Sequence, residues 1–305
     1  MVAGRISLGV LRQVVRFVLY GLPAIALTAL LVVVIVLENR PDLEVWHLAK
    51  LQNEYEKGDV PDFVSYLALE EVLFAELDAK VRQQVPEDRR HELNRFVPGS
   101  LSDPERISPN WNRSFEWPAK ERGEPSAAVL LVHGLSDSPY SLRSVAKRLH
   151  ESGAWVVGLR VPGHGTAPSG LVTTDWQDMA AALGLAANHL RDAVPGAPLV
   201  IVGYSNGAAL AVDHALDAIE EDRRLPPGEP RRVAKPDALV LLSPAIGVTP
   251  LAAFASWQET LGQVTGLEKI DWNSILLEYD PYKYSSFALH AGKQAFGITD
   301  RKSVV

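Results

Sequence analysis

The chain opens on one unbroken apolar run and later settles into short apolar blocks separated by amphipathic stretches. Residues 17–37, FVLYGLPAIALTALLVVVIVL, carry no charge. At about 1.5 Å of rise per residue, a helix of that length reaches about 30 Å, the thickness of a bilayer's hydrocarbon core. The pattern predicts one transmembrane helix over 17–37, with Pro23 near its start, where such a helix can absorb a kink. Between 41 and about 95, Phe63, Leu67, Phe74, Leu77 and Val81 fall close to helical spacing, with Glu70, Glu71, Glu76, Asp78 and Lys80 interleaved. This predicts a helical stalk, or a cover packed on the main domain, whose helix Asp62 caps. The segment 98–109, PGSLSDPERISP, reads as a loop.

From about residue 113 the rhythm changes. AAVLLVHG (127–134), AWVVGLR (154–160), PLVIVGYS (198–205) and DALVLLSP (237–244) are almost continuously apolar, as strands covered on both faces are. Helix-length segments at 139–151, 174–192 and 206–220 separate them, which predicts an α/β fold with a mostly parallel sheet and helices on both faces. The polar connection 221–236 reads as a solvated loop.

Charge refines this outline in two places. The formal net charge of −7 gives no basic surface for phosphate, so no nucleic-acid partner is expected. Around the apolar run, Arg5, Arg12 and Arg16 precede it, while Glu38, Arg40, Asp42 and Glu44 follow. The positive-inside rule then puts residues 1–16 in the cytoplasm and the remaining domain outside, on a single pass. The run continues into LENRP with no small-x-small site, so the expectation is an uncleaved signal anchor and not a cleaved leader. The absence of cysteine excludes disulfides, thiol catalysis and zinc–thiolate sites, and no metal or cofactor is expected.

The candidate chemistry begins at Gly203-Tyr204-Ser205-Asn206-Gly207, a G-x-S-x-G in which an apolar strand ends and an alanine-rich helix begins. A sharp strand-to-helix turn presents the serine Oγ at the carboxyl edge of a sheet, which suits a nucleophile. An acyl-transfer serine also needs two backbone N–H groups aimed at the developing oxyanion. Asn206, the residue after the nucleophile, is one candidate; Leu135, in the HGL turn after the strand AAVLLV, is the other. His133 in that turn reads as structural and not catalytic.

HGLSDSPYS (133–141), RVPGHGTAP (160–168) and GYSNG (203–207), in this order, resemble the α/β-hydrolase superfamily, and most of all its branch of monoacylglycerol lipases, carboxylesterases and serine aminopeptidase-like enzymes. The resemblance covers about 113–290 and implies a cap over 250–290, whose Phe254, Trp257, Trp272, Tyr279, Tyr282, Tyr284 and Phe287 suit an acyl-binding cover. It also implies a triad acid and histidine after the last strands, and neither is found. Asp213, His214 and Asp217 lie along the helix leaving the elbow, Asp237 begins a strand at the opposite edge, and His290 in the cap region is a weak candidate for the base. The expectation is therefore an incomplete core over 113–305, truncated before its last strands, behind a pre-domain over 41–110. Function narrows to a membrane-anchored serine hydrolase of small-molecule esters or lipids, with a truncated, incompetent member and an aminopeptidase-like enzyme as alternatives.

Overall fold

The computed structural model describes residues 8–119, 125–226, 228–246 and 268–302. Contacts divide the chain into two units, Met1–Asp42 and Leu43–Val305. In the first, α1 (Leu8–Arg16) runs through a π-helical turn, Phe17–Gly21, into α2 (Leu22–Glu38). Pro23 has no N–H and its ring crowds the carbonyl four residues back, so a helix accommodates it by loosening the turn ahead. Here the Leu22 N–H reaches back to the Phe17 carbonyl, the longer hydrogen bond of a π turn. The span Arg12–Glu38 is long and apolar enough to cross a membrane.

The second unit is built on a five-stranded sheet. Its strands are β1 (Phe115–Trp117), β2 (Ala128–Val132), β3 (Trp155–Leu159), β4 (Leu199–Tyr204) and β5 (Ala238–Leu242), in the spatial order β1-β3-β2-β4-β5. All neighbours are parallel except β1, which pairs antiparallel with β3. The four apolar blocks of the sequence are thus the four parallel strands; the antiparallel β1 had no such signal because it is short and half-buried.

Strand side chains alternate between faces, so each apolar block feeds two cores. Ala128, Leu130, Val132, Val157, Leu159, Leu199 and Ile201 point to one face, against α7 (Trp176–Ala193) and α8 (Asn206–Arg224). Val129, Leu131, Val156 and Val202 point to the other, with Ala146 of α5 (Arg143–Glu151). The third apolar position of β5, Val240, is 43% exposed, while Leu239 and Leu241 pack on the first core. Among the described residues β5 is therefore an edge strand with one face open.

The segment from Leu43 to β1 packs within this second unit. Helical structure there is limited to α3 (Val45–Leu48), α4 (Phe63–Lys80) and short 3-10 turns, which leaves much of 41–95 irregular. The Asp62 side chain accepts from the Ser65 N–H, the cap read from sequence. Tyr55, Phe63 and Tyr66 join the core over α7. Beneath them Arg160, at the end of β3, pairs with Glu70 of α4 and with Glu54 at 3.0 Å, all three largely buried. Tyr66 adds an O–H bond of 2.7 Å to the Arg160 carbonyl. Burial pushes the Glu70 carboxyl up and the Arg160 charge pulls it back.

A further segment packs near the carboxyl edge of the sheet. It holds a small hairpin, β6 (Trp272–Ser274) with β7 (Phe287–Ala288), and leads into α9 (Leu289–Lys302). Residues 268–290 are the described part of the region expected as a cap; residues 247–267, with Phe254 and Trp257, lie outside the described residues. A short helix, α6 (Gly170–Thr173), follows the turn after β3.

Candidate active site

β4 ends on Tyr204 and α8 begins at Asn206, so Ser205 alone makes the turn between them, at φ 52° and ψ −113°. A side chain at positive φ is strained unless its surroundings hold it. The Ser205 N–H donates to the Leu242 carbonyl at 2.9 Å, and the Ser205 carbonyl accepts from the Ala245 N–H at 3.1 Å. The end of β5 thereby fastens the turn from one side. The two motif glycines make it possible from the other. A Cβ on Gly203 would lie 2.5 Å from the Ala208 Cα, and one on Gly207 would collide with the carbonyl oxygens of Val132 and His133. Helix and strand can approach this closely only without those side chains.

β2 runs parallel to β4 as its direct neighbour, which brings the HGL turn beside the elbow. Gly134 faces the elbow, since a Cβ there would lie 3.1 Å from the Tyr204 ring and 3.3 Å from the Ser205 Cβ. Leu135 has an N–H that donates to no acceptor among the described residues. Asn206 opens α8, where the first N–H groups of a helix lack intrahelical acceptors. Two N–H groups without acceptors among the described residues thus lie just beyond the ends of two neighbouring strands, β2 and β4.

His133 is occupied elsewhere. Its Nδ1 lies 2.8 Å from the Gly134 carbonyl and its Nε2 accepts from the Val161 N–H at 3.1 Å, which fixes a neutral tautomer. Burial holds its pKa well below the ordinary histidine value. It ties the HGL turn to the PGHG turn, as expected of a structural residue. His164 of that turn packs edge-on against His133 and bonds the Pro162 carbonyl at 2.9 Å; burial lowers its pKa to about 4.

Two further residues at the same edge went unnoticed in the sequence. Among the described residues the non-glycine positive-φ positions are Ser136, Ser205 and Ser243, which follow β2, β4 and β5 respectively. Residues held in strained conformations are a known feature of active sites, and these three lie at one sheet edge. Nothing local distinguishes Ser136, whose backbone is held by a bond from far along the chain. The Ser136 carbonyl accepts the Tyr284 N–H at 2.8 Å, and Leu135 packs with Leu171, Trp272, Tyr284 and Ala291. Of the expected cap aromatics, Trp272, Tyr282 and Tyr284 are buried and Tyr279 is exposed.

No described side chain hydrogen-bonds the Ser205 Oγ. Asp213 and His214 are on α8, where His214 bonds the Ala234 carbonyl, and Asp237 is at the far edge, holding the Leu199 N–H at 2.7 Å. His290, on the first turn of α9, has its Nε2 3.3 Å from the Asp175 carboxylate and 3.0 Å from the Gln294 amide. Asp175 caps α7, so this Asp–His pair joins two helices.

The mostly parallel sheet sandwiched by helices is the α/β-hydrolase fold. The family model described as serine aminopeptidase, S33, matches residues 123–274. Among solved structures, one from a study of LipS and LipT, two metagenome-derived lipolytic enzymes, is 18% identical with a TM-score of 0.45, covering 62% of this chain and 68% of its own. A monoacylglycerol lipase from Paleococcus ferrophilus is 20% identical with a TM-score of 0.42, over 62% and 70%. A soluble variant of monoglyceride lipase from Saccharomyces cerevisiae, in complex with a substrate analog, is 15% identical with a TM-score of 0.41, over 60% and 63%. At these distances they are likenesses of fold alone. No curated protein matches the chain.

Proposed function

We propose that the chain is a membrane-anchored serine hydrolase in which the Ser205 Oγ attacks a carboxylic ester or lipid ester. The N–H groups of Leu135 and Asn206 receive the oxyanion. The observation that carries this reading is Ser205 at φ 52°, fastened by β5 and flanked by the HGL turn. Holding a serine there costs about 1–3 kcal/mol, a strain that a purely structural turn would shed by using glycine. The segment 17–37 anchors the chain, with the arginine-rich side in the cytoplasm and the hydrolase unit outside. Protection of that unit from protease added outside spheroplasts would overturn the orientation.

A second reading has one observation in its favour: the Ser205 Oγ has no imidazole bonded to it among the described residues. Without a base a serine hydroxyl is a weak nucleophile. In that case the chain is an α/β-hydrolase without turnover. The family model's description adds aminoacyl amides as a third substrate class. A fluorophosphonate probe separates these readings. Rapid labelling that disappears in Ser205→Ala supports an activated nucleophile, and p-nitrophenyl esters against aminoacyl arylamides then decide the substrate. A wild-type chain that labels no faster than Ser205→Ala leaves the reading without turnover in possession.

A further inference from the structure

A cavity of about 310 Å³ lies between α4 and the loop that follows it, and no residue of the elbow or of the HGL turn lines it. Arg95 forms part of its wall and is only 2% exposed. Its guanidinium stacks against Phe96 and Tyr284, 5.5 Å and 5.4 Å from the ring centroids. Yet none of its side-chain N–H donors meets an acceptor among the described residues, and Nη1 is completely buried. The other two arginines of the wall are engaged. Arg82 bonds Asp103 at 2.9 Å and Asp78 at 3.3 Å, and Arg113 bonds Glu71 at 2.8 Å. The Glu278 carboxylate is a buried charge that balances Arg95 electrostatically, but its oxygens accept the N–H groups of Ser285 and Ser286 at 3.0 Å and 2.8 Å.

A buried guanidinium without acceptors costs several kcal/mol, so a fork left open beside a cavity favours an anion there. The surroundings select which anion. Glu71, Asp78 and Glu105 also border the cavity and repel a dianion more than a monoanion. The planar fork matches a planar carboxylate through two parallel bonds. Phe74, Ala75 and Leu77 supply apolar wall for a short alkyl chain. We propose that this cavity binds a small monocarboxylate through Arg95. Its occupancy reaches the HGL turn through one residue, because Tyr284 carries both the ring under Arg95 and the N–H bonded to Ser136.

The test is equilibrium dialysis of radiolabelled butyrate against the full chain in detergent, with inorganic phosphate as competitor. Charge-assisted bonds of this kind contribute about 1.5–3 kcal/mol, so Arg95→Met is expected to weaken butyrate binding about 10- to 100-fold. Ala75→Phe, substituted on the exposed side of α4, fills the cavity and leaves Arg95 in place; it is expected to abolish binding as well. Absence of saturable binding to the wild type overturns the proposal. So does wild-type affinity in Arg95→Met, or in Ala75→Phe, which would place butyrate elsewhere. Phosphate that displaces butyrate at equal concentration overturns the carboxylate assignment. If Arg95→Met fails to fold, Ala75→Phe decides alone.

Discussion

Substitution of Gly207 by alanine is the most demanding check on the elbow. Gly207 lies in the first turn of α8, and its missing Cβ would press on the Val132 carbonyl oxygen and come within 2.5 Å of the His133 carbonyl oxygen. Neither acceptor can retreat easily, since Val132 is paired with Leu159 on one side and Gly203 on the other. Ordinary carbon–oxygen contact is about 3.3 Å, so α8 must move by roughly 1 Å. Overpacking of this kind costs about 1–3 kcal/mol, and with backbone on both sides the upper end applies. For a unit of this size about 3 kcal/mol lowers the melting temperature by about 6–12 °C. A displacement of about 1 Å at the nucleophile also costs about a hundredfold in rate, so fluorophosphonate labelling should slow in proportion. Gly184 in α7 is the control, with nothing within 4 Å of a Cβ built there. Gly184→Ala should gain about 1 kcal/mol from helix propensity. Thermal unfolding of both variants measures the contrast; a Gly207→Ala protein that melts with the wild type would refute the close-approach argument.

Ser205→Gly should relieve the positive-φ strain and raise stability by about 1 kcal/mol, while Ser205→Ala should not, a difference readable by urea unfolding. Glu70→Gln should cost about 3 kcal/mol, because it breaks a buried ion pair and leaves Arg160 with Glu54 alone; an effect under half of that would mean the cluster contributes little. His164 is held at about 4 by burial against 6.5 when unfolded, so between those values the unfolded chain binds a proton that the folded chain does not. Stability should therefore fall as pH drops through that window, by up to about 3 kcal/mol, and His164→Asn should flatten the slope by about one proton; an unchanged slope refutes it.

The architecture of the hydrolase unit was legible in the sequence because it rests on local patterns. Continuous apolar blocks demand cover on both faces, and all four of them became parallel strands. Ser205 and its glycines were legible for the same reason, since a strand-to-helix turn constrains its own residues. His133 was legible as structural only through its place in a turn; the two bonds that fix its tautomer come from elsewhere in the fold. What tertiary structure decided lies wherever partners are far apart in the chain. The pairing of Arg160 with Glu54 and Glu70, the strained conformation of Ser136 beside Tyr284, and the open guanidinium of Arg95 leave no local trace. The region before β1 shows the division most plainly. Helical spacing predicted α4 and its Asp62 cap, but only burial of Phe63 and Tyr66 against α7 made it part of the core. Periodicity specifies which face of an element is apolar, while the element that covers that face is chosen by packing in three dimensions.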